Sequence, residues 1–178
     1  TMGRSFWIMD DLSPLHQITD RVENSNVHLF SPRAAYRMRT RGGGGRPSAG
    51  NPEYPSAAVN IDYYLAEGQT GRISMEILVN NGNLVRAFSS ESEGERWEIP
   101  AEISMREFRL ERVGTPRLPN NPGMNRFRWN MTHAGAWSPN QNRAGSGGPM
   151  VTPGTYQVKL TMGSWSHAER FEVLVDPR

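Results

Sequence analysis

An imidazole can serve as base, acid or metal ligand, so the four histidines are the first residues to weigh. His16, His28, His133 and His167 are scattered, and none has a second histidine at i,i+2 or i,i+4 to share a strand or helix face. No His-Glu-x-x-His pair for zinc and no Gly-x-Ser-x-Gly elbow for a nucleophile occurs in the chain. Asp10-Asp11 offers two carboxylates, but adjacent strand residues point to opposite faces and do not flank one substrate. Gly42-Gly43-Gly44-Gly45 lacks the Lys-Ser/Thr of a phosphate loop. Zero cysteines exclude disulfides, thiolate metal sites, iron–sulfur clusters and a cysteine nucleophile. These residues imply no enzyme: no catalytic residue, no cofactor, no metal and no small-molecule substrate are expected.

Charge points instead to contacts. Twenty Lys+Arg against eighteen Asp+Glu leave +2, so no single-sign field selects nucleic acid or a membrane. Only Lys159 is a lysine; the other basic residues are arginines, whose planar fork suits bidentate pairing and stacking at interfaces. Arg41 and Arg46 bracket the glycine run, but one such element without an aromatic platform does not make a nucleic-acid site. Asn130-Met131-Thr132 fits a glycosylation pattern at a strand end and reads as chance. Residues 1–50 carry 7 basic and 4 acidic groups, 51–100 carry 3 and 8, and 101–150 carry 7 and 3; such alternation suits solvated faces or, alternatively, a basic patch facing an acidic partner.

The elements behind these residues are strands. Arg4 to Asp10 reads as a strand apolar on both faces, with Phe6 and Ile8 opposite Trp7 and Met9. Leu15 to Ile18 suits a short helical turn, and Val27–Phe30 and Ala34–Met38 suit two short extended pieces. Residues 39–55, rich in Gly and Pro, read as a loop or linker. From residue 57 apolar positions alternate at period two: Val59, Ile61, Tyr63, Leu65; then Ile73, Met75, Ile77, Val79, turning through Asn80-Asn81-Gly82-Asn83 into Leu84–Phe88. Residues 89–122 suit either a helix over Ala101–Arg112 or slipped alternation. Phe127, Trp129 and Met131, then Tyr156, Val158, Leu160 and Met162, then Phe171, Val173 and Val175 complete the inward set. The fold class is all-β: an antiparallel β-sandwich over 57–178, with residues 1–56 as an extended, irregular N-terminal arm.

Three segments carry a family resemblance: Gly123-Met124-Asn125-Arg126-Phe127-Arg128-Trp129-Asn130, the run from Gly148-Pro149 through Pro153-Gly154-Thr155-Tyr156-Gln157-Val158-Lys159-Leu160, and Asp176-Pro177-Arg178. They resemble the C-terminal domain of exported bacterial proteins with sortilin-like or BNR-type β-propellers, often labelled glycosyl-hydrolase-like. That domain is similar to the immunoglobulin-like sandwich of the flagellar hook-capping protein. Ile61–Leu65 and Leu84–Ser89 resemble its first strands, and Gly3–Asp11 resembles the last propeller strand. The resemblance implies an immunoglobulin-like fold and export to the periplasm or beyond. It places the rest of the propeller, and any activity housed there, outside this chain. Thr1 in the place of an initiator methionine is expected of a processed product or part of something longer.

The function expected is that of a non-enzymatic accessory or structural subunit binding a protein partner in a larger assembly. By analogy with BNR-like propellers that assist photosystem assembly, a membrane-bound complex is included among such assemblies. The partner contacts are expected from Phe6 and Trp7, from Arg33, Arg37, Arg39, Arg41 and Arg46, and from Trp137 and Arg143. A carbohydrate-binding module is the rival reading, although the outward strand positions Arg126, Arg128, Gln157, Lys159 and Glu172 are not aromatic.

Overall fold

Apolar residues at period two put one face of each strand out of water, and two such faces closed on each other make a sandwich. The computed structural model describes residues 11–38, 57–69, 71–91, 116–134 and 148–177, and shows this closure. A 3-10 turn at Leu15–Gln17 and a single helical turn, α1 at Asp20–Glu23, precede the strands. The strands are β1 Val27–Leu29, β2 Ala35–Tyr36, β3 Val59–Leu65, β4 Ile73–Val79, β5 Leu84–Ser89, β6 Gly123–Trp129, β7 Gly154–Met162 and β8 Trp165–Leu174. One sheet has the order β1-β3-β6; the other has β2-β8-β7-β4-β5.

That order is the immunoglobulin plan. The A-B-E series of one sheet and the G-F-C-C′ series of the other map onto β1-β3-β6 and β8-β7-β4-β5. All pairings are antiparallel except β2 with β8. The tyrosine corner of such sandwiches is present too: Tyr156, at the start of β7, donates its hydroxyl to the Thr152 carbonyl at 2.6 Å.

The inward residues expected from the alternation are buried: Val59, Ile61, Tyr63 and Leu65 on β3, Ile73, Met75 and Ile77 on β4, Phe127 and Trp129 on β6, and Tyr156, Val158 and Leu160 on β7. Trp129 centres an aromatic group, with Tyr156 at 5.9 Å and Phe171 at 6.0 Å. Tyr63 donates its hydroxyl to the Pro119 carbonyl, and burial pushes its pKa up. The β4–β5 hairpin turns through three residues: Gly82 donates to Val79 O at 2.8 Å and takes a left-handed φ of 87°. A side chain is disfavoured at that third position, which is why the Asn-Asn-Gly series suits it. After β6 the chain leaves at Ala134 and is back at Gly148, where a Cβ would stand 2.3 Å from the Ala134 carbonyl oxygen. The two ends are laced by His133 N to Pro149 O and Val151 N to Met131 O.

Two expectations change. The arm expected over residues 1–56 is, in its described part, built into the sandwich. Val27, Leu29 and Ala35 join the core, with β1 pairing β3 and β2 pairing β8. The chain thus crosses from one sheet to the other between Phe30 and Ala35, and the sandwich begins well before residue 57. Val175 is the other correction: β8 ends at Leu174 and Val175 is 65% exposed, beyond the reach of the facing sheet. Phe6 to Asp10, the glycine-rich stretch and the alternation over 101–112 lie outside the described residues.

Candidate interaction surface

Of the residues expected to contact a partner, Arg33 and Arg37 are described; Phe6, Trp7, Arg39, Arg41, Arg46, Trp137 and Arg143 lie outside the described residues. Arg33 and Arg37 flank the sheet-switching corner. Arg33 is 64% exposed and reaches the Asp11 carboxylate at 3.8 Å. Arg37 is fastened by its backbone, which donates to Leu174 O at 2.8 Å, while its Nε is buried with no hydrogen-bond partner. Between them Tyr36, on the two-residue β2, is half exposed beside the end of β8, where Val175 stands in solvent. An edge strand of two residues cannot bury a tyrosine, so the ring is left outside.

The segment before this corner is pinned to the outer face of the three-stranded sheet. Asp62 and Arg126 are register partners on β3 and β6, joined by two hydrogen bonds, Nε to Oδ1 at 2.7 Å and an amino nitrogen to Oδ2 at 3.2 Å. Arg126 also donates to the Asp11 carbonyl at 3.4 Å. Burial acts to raise the Asp11 carboxyl. Hydrogen bonds from Ser13 and Asn60, with the Arg33 charge, outweigh it and hold the pKa below the ordinary value. Further along, Gln17 clamps Ser31 from both sides, donating to its carbonyl at 3.1 Å and accepting from its N–H at 2.9 Å.

The pinning leaves an apolar row outside. Leu15 N donates to Leu12 O and Ile18 N to Leu15 O, a three-residue period that superposes side chains three apart. Asp11 and Pro14 are buried and Gln17 half-buried on the inner row, whereas Leu12, Leu15 and Ile18 are 45%, 46% and 39% exposed. With Tyr36 and Val175, five of the seven large exposed apolar residues among those described belong to this segment and the corner; Leu84 and Met124 are the others. The sequence reading missed Tyr36 and the row, although the spacing Leu12, Leu15, Ile18 against Asp11, Pro14, Gln17 was there to be seen.

Two further polar clusters complete the described molecule. On the side where β1 meets β8, Ser31 donates to Glu169 at 2.5 Å and His167 Nε2 lies 2.9 Å from the same carboxylate. His28 meets Phe30 edge-on, and burial, with His167 acting the same way against Glu169, lowers its pKa. Arg86 is buried on β5, donating to Thr132 Oγ1 at 2.7 Å with its guanidinium 5.0 Å from the Phe88 ring centre. At the end formed by the β3–β4 and β7–β8 connections lies a groove of about 470 Å³ walled by Trp165, Arg72, Asn26, Gln69 and Ser164. Among the described residues no group of three or more His, Asp or Glu could hold a metal ion.

No protein-family model, curated protein or solved structure matches this chain.

Proposed function

We propose that this chain is a non-enzymatic binding domain, an accessory or structural subunit that holds a protein partner within a larger extracytoplasmic assembly, membrane-bound complexes included. The observation that carries the reading is the sheet-switching corner, where exposed Tyr36 stands between Arg33 and Arg37 beside exposed Val175. Tyr and Arg are the residue types enriched where interfaces concentrate their binding energy. The resemblance of Gly123–Asn130 and Pro153–Leu160 to the sandwich domain of exported bacterial propeller proteins supports the extracytoplasmic setting and the kinship.

The test is native purification of the tagged chain, followed by mass spectrometry of what co-elutes. A stoichiometric partner is expected with the wild type and not with Tyr36→Ala/Arg37→Ala at unchanged melting temperature. A partner retained in full by that variant overturns the assignment to the corner. A carbohydrate-binding reading is favoured by the groove, where an indole adjoins amide, hydroxyl and guanidinium groups. Saturable quenching of tryptophan fluorescence by soluble oligosaccharides, abolished in Trp165→Ala, would move the function there.

A further inference from the structure

We infer that Asn81, at the tip of the β4–β5 hairpin, is a self-modification site, where the side-chain amide is lost and the backbone is rerouted through an isoaspartyl linkage. The inference stands apart from the corner proposed above as the partner site. In the described five-stranded sheet β5 is one edge, and β2, which carries Tyr36, is the other.

The reaction is intramolecular. The Gly82 backbone nitrogen gives up its proton to water and attacks Asn81 Cγ; the new N–C bond closes a succinimide ring, and the side-chain nitrogen takes up a proton and leaves as ammonia. Water then opens the ring at either carbonyl, giving aspartate or isoaspartate with no change of oxidation state. The attacking residue must carry nothing bulky, and the side-chain amide must be able to lie against the next peptide. Asn81-Gly82 is the only Asn-Gly pair in the chain. The next least hindered pair is Asn24-Ser25, and the fold ties both of its reacting groups to α1. Asn24 Nδ2 donates to the Asp20 carbonyl at 2.7 Å, and Ser25 N donates to the Val22 carbonyl at 3.0 Å.

The hairpin tip favours the reaction. Residues 80–83 are exposed, so water reaches the reacting atoms. Asn83 N donates to Asn81 Oδ1 at 3.1 Å. That bond folds the side chain back along the Gly82 peptide, and its donor faces the oxygen on which negative charge gathers as the tetrahedral intermediate forms. Nothing lies within 4 Å of where a Gly82 Cβ would stand, so the ring has room to close. The Gly82 N–H, bonded to the Val79 carbonyl at 2.8 Å, resists attack. It is one bond at a solvent-exposed tip, where local opening costs least. The product is tolerated. Isoaspartate puts one extra carbon into the main chain between Val79 and Asn83, whose N–O bond of 2.9 Å closes the turn. The disturbance ends by Leu84, itself mostly exposed, and the core resumes at Val85. The modified chain therefore stays folded, and one added carboxylate takes its formal net charge from +2 to +1.

The experiment ages the purified 178-residue chain alone in mildly alkaline buffer, so it is decided whether or not an outside partner is found. Peptide mass spectrometry reads each asparagine, conversion adding about one mass unit, and fragmentation separates isoaspartate from aspartate. Conversion is expected first at Asn81, at least about tenfold faster than at Asn24, because only there do nucleophile and amide meet. The rate in the folded chain is expected within about tenfold of that in chain unfolded by urea, since the tip opens without global unfolding. Asn81→Gln, whose closure needs a larger ring, is expected to stop the conversion and leave the melting temperature unchanged. Hydrogen exchange of the aged chain is expected to quicken over residues 79–84 and to stay as it was over β7. Another asparagine converted first overturns the inference. So does a folded chain converted more than about tenfold slower than the unfolded one, or a tip whose exchange is unaltered at full conversion.

Discussion

Truncating Trp129 to alanine tests whether the sandwich core is organised as described. The indole is 1% exposed, meets Tyr156 and Phe171 edge-on at 5.9 and 6.0 Å, and donates Nε1 to the Thr132 carbonyl at 3.1 Å. Large-to-small replacement of a buried aromatic costs about 3–5 kcal/mol, combining lost transfer free energy with the cavity left behind. The two aromatic pairs belong within that figure at about 0.5–1.5 kcal/mol each. Against a total stability of about 5–15 kcal/mol, the variant loses about a fifth or more of what holds the domain folded. For a chain of this size that corresponds to a drop in melting temperature of about 6–20 °C. The assay is urea denaturation followed by far-ultraviolet circular dichroism, with the midpoint compared at constant m. Leu84→Ala, at a position 58% exposed, is the control and is expected within about 0.5 kcal/mol of wild type. A Trp129→Ala loss below about 1 kcal/mol at unchanged m would refute the aromatic centre and, with it, the packing of the inner face of β6 against the other sheet.

Tyr156→Phe removes one hydroxyl and leaves the Thr152 carbonyl unpaired in the tyrosine corner; a loss of about 1–3 kcal/mol in the same denaturation assay is expected. Burial, aided by His167, keeps His28 below the ordinary histidine value of 6.5, so the unfolded chain takes up a proton before the folded one does. The stabilisation from neutral His28 is present above about pH 6.5 and is lost as pH falls through the folded-state value; denaturation midpoints from pH 7.5 downward should show it, and His28→Gln should flatten that part of the profile. Deleting residues 1–56 takes Val27, Leu29 and both short strands out of the sandwich. That variant is expected to lose cooperative thermal unfolding.

The corner and the row differ from the core in what made them visible. Ile61, Tyr63, Phe127, Trp129, Tyr156 and Leu160 could be assigned inward from their alternation alone, because each strand runs seven residues or more and a one-residue slip would expose its whole apolar set. The three residues of β1 and the two of β2 carry no such redundancy. Nothing local in Val27–Leu29 or Ala35–Tyr36 says which sheet each joins, and only docking against β3 and β8 decided that residues 27–36 belong to the sandwich rather than to an arm. Position relative to the facing sheet also decided Val175, which continues the alternation of Phe171 and Val173 yet falls past the last ladder contact.

Charged residues show the same division. The sequence by itself determined that Arg126 and Arg128 point away from the core, since strand parity settles that much. It did not reveal that Asp62, 64 positions earlier in the chain, lies opposite Arg126, because cross-strand partners are set by register between distant segments. The exposed row lies between these cases. Its three-residue period is written in the chain, but a turn of three helical residues is too short to say which side faces water. The buried Asp11 and the clamped Ser31 made that choice, and both are contacts that exist only once β1 has joined its sheet.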